Sequence, residues 1–379
     1  MKKAVKIIIG GDLGPTKSNY KLFSEGNIES LVDHDLLALL FSADYRIFNL
    51  EVPLTDKEDP IIKDGPNLIA PASTVNGLKK LNPLVLGMGN NHILDQDEEG
   101  LFQSMKVLSE NNILYTGSGR NLEEAAIPLI IEIDGIRIGI YACAENEFSI
   151  AKHNHGGANP FDPLDSPDHI TELKTKSDFV IVLYHGGKEY YRFPSPNLQK
   201  LCRKMADKGA DLVICQHSHC IGCMEKYGDT MIVYGQGNFL FDRHEDEFWN
   251  TGLLIQAAFG EGMTVEFIPL SKNGNGVKLA SQNEGDLIIS DFKKRSEQIT
   301  VPGFVDTEYE KFCKGNASYY LSTTAGLSRI LRKIDEMTKG SITQKIYSTR
   351  KLFSLQNTIE SESIRELLLK SIEIRKRLK

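Results

Sequence analysis

The stretch ADLVICQHSHCIGC, Ala210–Cys223, opens as an apolar, β-branched run and closes with three cysteines and two histidines inside the nine residues Cys215–Cys223. Its first half has the length and composition of a buried strand. His217 and His219 therefore stand at the carboxyl end of a strand, the place where open α/β sheets present side chains to ligands. Either these groups close a local zinc knot, or they form one edge of a centre whose other members lie far upstream.

The same pattern recurs along the chain. AVKIIIG, YRIFNLE, PLVLGMG, IRIGIYA and DFVIVLYHGG are further short apolar runs that read as buried strands. Amphipathic segments lie between several of them, among them EEGLFQSMKVLSENN (98–112) and SPNLQKLCRKMADKG (195–209), the second ending on a glycine at a helix-stop position. This alternation, over roughly the first 270 residues, predicts an α/β fold. KNGNG at 272–276 is a loop signal, and the character then changes. From Ala325 onward the chain reads as helices with basic faces, 13 Lys/Arg against 6 Asp/Glu; since the whole chain carries −7, this +7 leaves −14 for the rest. The expected division is a catalytic-type domain at 1–270, a connecting segment at 271–324 and a basic helical extension at 325–379.

The global balance excludes several classes. With 379 residues and 41% hydrophobic content the chain can bury one large core, or one large and one small. A net charge of −7 gives no sign of a nucleic-acid partner. Six cysteines are too sparse for a disulfide scaffold. MKKAVKIIIGGD reads as a first strand and not a signal peptide, because Lys6 and Asp12 interrupt it. No uninterrupted apolar run approaches the ~20 residues of a membrane span, so a cytoplasmic protein with reduced thiols is expected.

Five strand ends carry the chemistry: GD (Gly11, Asp12), NLE (Asn49–Glu51), GNNH (Gly89–His92), HGG (His185–Gly187) and HSH (His217–His219). If they meet on one rim, they offer two carboxylates, an asparagine and several imidazoles. That mixed oxygen and nitrogen set suits divalent Mn, Fe or Zn.

With GDLG, NLEVPLT, GNNHILDQDEEG, HGGKEYYRFPSPNLQKLCRKMADKGADLVICQHSH and YGQGNFLFD in this order, residues 5–245 resemble the bacterial capsule-synthesis protein A family. These poly-γ-glutamate capsule proteins belong to the calcineurin-like metallophosphoesterase superfamily. The resemblance implies a two-sheet β-sandwich flanked by helices, with two divalent ions at the sheet edge. It implies Asp12 and Glu51 as carboxylate ligands, Glu51 bridging; Asn91, His185 and His217 completing one ion; and His219 helping to hold the other. His92 resembles the superfamily's general acid, which protonates the leaving oxygen, and Asp95, three residues on, is placed to orient its imidazole. Glu189 fits the family's HGGxE pattern. Lys188 and Arg192 are cations that would receive a phosphate or a polymer carboxylate.

There are departures from the superfamily pattern. Asp12 is followed by Leu13 and Gly14 where Asp-x-His is usual, so the ion there has lost an imidazole; Glu51 replaces an aspartate, and Gln216 a glycine. The implied function is a metal-dependent hydrolase of phosphoesterase type, acting on a phosphoester or anionic polymer in capsule or exopolymer biosynthesis. The alternative is a non-catalytic metal-binding assembly or polymer-binding component. Retention of His92 and Asp95 favours the enzyme, since a scaffold needs no proton donor. The basic C-terminal helices would attach a partner in the biosynthetic machinery.

His217 and His219 are thus expected to be the last edge of a distributed site. Cys215 is the final inward residue of its strand, and Cys220 and Cys223 are structural, because a four-ligand knot would take its ligands from the larger centre. The loop 151–169, with His153, His155 and His169, is a candidate lid whose histidines individually read as surface groups. His34 and His244 are expected to be structural or exposed, and Asn238 to support the site through backbone hydrogen bonds, direct ligation being the less favoured reading.

Overall fold

The computed structural model describes residues 4–241 and 247–377. His244 lies outside the described residues. The chain divides into two compact units, Met1–Asp306 and Thr307–Lys379.

In the first unit each apolar run becomes a strand, and alternate residues along the run point to opposite layers. Ile7, Ile9, Ile47, Val85 and Ile255 of one sheet share a cluster with Ile138, Ile140, Ile181, Leu183 and Ile214 of the other, so two sheets face each other across a dry isoleucine-rich core. The intervening residues Ile8, Phe48 and Leu86 turn outward to Leu36, Leu40, Leu78, Leu101 and Leu108 of the helices His34–Ser42, Val75–Leu81 and Asp97–Glu110. On the other side Val180, Val182 and Val213 pack on Ile170, Leu173, Leu198 and Met205 of the helices Asp165–Lys176 and Pro196–Asp207. The expected two-sheet sandwich flanked by helices is the observed architecture. Helix Pro196–Asp207 starts where the sequence says it should: Ser195 accepts from Leu198 N, and a proline occupies the first turn.

The first sheet has eight strands. Seven run in the order Gly276–Leu279, Met263–Asn273, Thr251–Phe259, Val5–Gly14, Tyr45–Leu50, Val85–Gly87, Leu114–Thr116, while Asn238–Phe241 pairs with Val5–Gly14 off this path. The second has six, ordered Met224–Tyr227, Thr230–Val233, Leu212–Gln216, Phe179–His185, Ile136–Ala144, Leu129–Ile133. The strands that matter for the site are parallel to their neighbours: Val5–Gly14 to Tyr45–Leu50, Tyr45–Leu50 to Val85–Gly87, and Phe179–His185 to both Ile136–Ala144 and Leu212–Gln216. Parallel strands end on one edge, and the register sets Asp12 opposite Asn49 and Gln216 opposite His185.

KNGNG does not end the sheet. Asn273 pairs with Gly276 across a two-residue turn, with Gly274 at φ 59°, so the loop signal is the tip of a hairpin. The boundary expected after residue 270 thus falls within a strand, and helix Gln282–Gln298 lies in the first unit, its Phe292 buried beside Ile221 and Leu253. The second unit is helical, with helices Arg329–Met337, Ser341–Ile346, Thr349–Glu360 and Glu362–Arg377. Among the described residues no helix is long and apolar enough to cross a membrane.

Candidate metal centre

The strand ends bring Asp12, Glu51, His185, His217 and His219 together, all of them at most 5% exposed. Their potential ligand atoms form two sets, Asp12–Glu51–His219 and Glu51–His185–His217, each within 4.8 Å and sharing Glu51. His185 Nε2 lies 3.3 Å and His219 Nε2 3.9 Å from Glu51 Oε1, while His219 Nδ1 is 3.5 Å from Asp12 Oδ2. Asn91 joins the second set, its Oδ1 accepting from His185 Nε2 at 3.0 Å.

Asparagines hold this cluster in place. Asn49 donates to Asp12 Oδ1 at 2.8 Å and reaches His185 Nδ1 at 3.2 Å; Asn90 donates to Asn49 Oδ1 at 3.2 Å and to the Leu50 carbonyl at 2.8 Å. The His217 backbone N–H donates to Asp12 Oδ2 at 3.3 Å, and His217 and His219 both adopt positive φ, 85° and 51°, which non-glycine residues rarely do. The strained turn aims both rings at the carboxylates.

Burial and the close charges perturb Asp12, His185, His217 and His219. Burial pushes the Asp12 carboxyl upward, but its bond to His219 and the charge of His185 hold it below the usual range. Burial alone would lower His185 and His219, yet Glu51 and Asp12 overcome it and raise both, His219 to about 9. Burial and the neighbouring His185 and His219 drive His217 well below the usual imidazole value. Most telling, both Glu51 oxygens and His217 Nδ1 are buried with no hydrogen-bond partner among the described residues. A buried carboxylate that accepts no hydrogen bond is costly even beside imidazoles, and a divalent cation is a partner that this donor set fits.

Beside the cluster, His92 Nδ1 donates to Asp95 Oδ2 at 2.6 Å, which leaves Nε2 as the ring's free end. Asp95 also accepts from Leu68 N at 2.6 Å and from Lys63 Nζ, an ammonium whose side chain is only 3% exposed. Lys63 was not singled out in the sequence, since it lies in a loop without periodicity 32 residues upstream of Asp95. Glu145, likewise missed, follows the strand Ile136–Ala144 and sits with Oε1 3.8 Å from His217 Nε2; burial raises its carboxyl against the pull of Lys188. The strand-end rule that found His185 applies to Glu145 as well.

Lys188 and Glu189 are exposed on the loop after His185. Arg192 is engaged elsewhere, donating to the Ile221 carbonyl at 3.0 Å and lying over the Phe248 ring at 4.7 Å. The 151–169 loop is tied down away from these ligands: His153 pairs with Glu123 at 2.6 Å, His155 approaches Glu98 at 3.8 Å, and His169 meets the Tyr141 hydroxyl at 3.2 Å. His34 is exposed beside Asp35. Cys215, Cys220 and Cys223 are buried, and among the described residues no cysteine joins a ligand set.

Fold and site together define a class: a two-sheet α/β sandwich with a buried carboxylate–imidazole cluster, of metal-ligand composition, where the parallel strands of both sheets end. Within it the chain belongs to the bacterial capsule synthesis protein PGA_cap family, whose model matches residues 6–243. It is 31% identical over 206 residues to the PGA biosynthesis protein CapA of Bacillus subtilis (strain 168), covering 53% of this chain and 54% of that one. It is 30% identical over 213 residues to the capsule biosynthesis protein CapA of Bacillus anthracis, covering 54% and 52%. The chain thus spans about half the length of these curated relatives. A solved phosphatase structure from Mycoplasma pneumoniae is similar over 72% of this chain and 95% of its own, at 16% identity and a TM-score of 0.44.

Proposed function

We propose that this chain is a hydrolase that uses two divalent cations to cleave a phosphoester in capsule or exopolymer biosynthesis. The observation that carries the reading is Glu51, a fully buried carboxylate that belongs to both ligand sets and whose two oxygens accept no hydrogen bond among the described residues. Asp12 and His219 would hold one ion, Asn91, His185 and His217 the other. When bound, such ions polarise a phosphoryl oxygen and lower the pKa of water.

The remaining work falls to the chain's own side chains. With Nδ1–H bonded to Asp95, His92 serves as the proton donor for the leaving oxygen when Nε2 carries a second proton. Asp95 is itself fixed by Lys63 and Leu68 N, so the ring is oriented before substrate arrives. Lys188, exposed on the loop after His185, would draw an anionic substrate toward the centre.

Two measurements test the reading. Elemental analysis after reconstitution with Mn or Zn should find metal in the wild type and a loss of one equivalent in His217→Ala; equal content in both, or none in either, would sink it. His92→Asn should keep its metal but lose about 10²–10⁴-fold in turnover of alkyl phosphoesters, and much less for an activated aryl ester, whose leaving group needs no proton. A uniform loss across leaving groups would remove His92 from the chemistry and favour a metal-binding component of the biosynthetic assembly that does not hydrolyse.

A further inference from the structure

The Asp12–Glu51–His219 set has one imidazole where the Glu51–His185–His217 set has two, and strand Asn238–Phe241 brings a further oxygen beside it. Building on the metal-binding reading above, we infer that Asn238 Oδ1 is a ligand to the cation held by this set.

The backbone places Asn238 there. Strand Asn238–Phe241 pairs in parallel with the end of Val5–Gly14, and Asn238 is the register partner of Asp12. The approach is close: a Cβ on Gly11 would stand 2.0 Å from the Gly237 carbonyl oxygen. Asn238 is 7% exposed, beside His219, which Trp249 covers in a stack at 4.4 Å.

The side-chain oxygen faces the set. Asn238 Oδ1 lies 3.0 Å from His219 Nδ1, which is also 3.5 Å from Asp12 Oδ2. Neighbouring ligands around an ion with bonds of about 2.1–2.2 Å stand roughly 3.0–3.6 Å apart, so these separations are compatible with one coordination sphere. The other set shows the same relation, with Asn91 Oδ1 3.0 Å from His185 Nε2. Each set thus contains an asparagine carbonyl against an imidazole nitrogen, with Glu51 between them. The Asn238 Nδ2 is buried and has no hydrogen-bond partner among the described residues.

The test is calorimetric titration of Mn²⁺ into EDTA-stripped full-length wild type, Asn238→Ala and Asn238→Asp, with thermal melts in EDTA to confirm that all three fold. Ligation predicts two equivalents in the wild type. In Asn238→Ala one equivalent should weaken at least about tenfold while the other is unchanged, and in Asn238→Asp both should persist, one of them tightened by the added charge. Anomalous diffraction from the Mn-loaded wild type should then find Oδ1 about 2.0–2.4 Å from an ion. Wild-type affinities for both equivalents in Asn238→Ala, or an Oδ1 that stays on His219 and touches no ion, would overturn the assignment. A wild type that binds no metal would instead overturn the proposed function, and no variant would differ from it.

Discussion

Asp95 accepts three donors at once: the His92 ring, the Leu68 backbone and the Lys63 ammonium. The His92 and Asp95 pair was legible in the sequence because three residues separate them, a spacing that brings two side chains together in a single turn. Lys63 was not legible, because nothing in DKEDPIIKDGPN marks one lysine as buried; only the folding of the loop over Asp95 removes it from water. A buried pair that loses one member leaves an uncompensated charge, at a cost of about 3–5 kcal/mol. Asp95→Asn should therefore lower stability by about that amount in urea unfolding, and Lys63→Met by less, since Asp95 keeps two donors. A loss below about 1 kcal/mol for Asp95→Asn would mean that water reaches the ammonium.

Strands were the most legible elements, since each apolar run was short, β-branched and closed by a polar or glycine residue. Their pairing was not legible, because periodicity says which residues face inward but not which strand lies alongside. The join between Val5–Gly14 and Asn238–Phe241 shows the difference: 226 residues separate Asp12 from Asn238, yet the register sets them opposite each other. Gly11 is the element's weak point, because a methyl group there would meet the Gly237 carbonyl oxygen at 2.0 Å, a backbone atom that cannot swing aside. Gly11→Ala should force the two strands apart, lowering the melting temperature and weakening one metal equivalent while the Asn91–His185–His217 ion is kept. A variant with wild-type melting and full metal content would show that the strands have room to shift. A control at Gly274, a hairpin tip with nothing near its Cβ position, should disturb stability only through its left-handed φ of 59° and leave metal content alone.

The two units carry opposite charge, which composition revealed, although it marked neither edge of the division. The basic count begins at Ala325, whereas the second unit begins at Thr307, since helix Phe304–Thr324 crosses the boundary without a charge signature of its own. The first unit ends with a reason: Val305 is buried among Tyr184, Leu198 and Ile299, and Phe304 stacks edge-on with Phe193 at 5.2 Å. Beyond it, helix Arg329–Met337 exposes Ile330 at 73% and Met337 at 78%, and helix Glu362–Arg377 exposes Leu367 at 70%, alongside an excess of Lys and Arg. Apolar side chains beside an excess of positive charge suit an acidic partner. A chain ended after Asp306 should therefore keep both metal equivalents proposed above and the melting temperature of the first unit. The full chain, despite its net −7, should be retained on a sulfonate matrix at low salt and released as salt rises, because screening weakens attraction between exposed charges beyond about 10 Å at 0.1 M. The shortened chain should pass through unretained. Loss of metal or of cooperative unfolding on truncation would show instead that the first unit needs the helices to fold, and equal retention of both chains would place the attaching surface on the first unit.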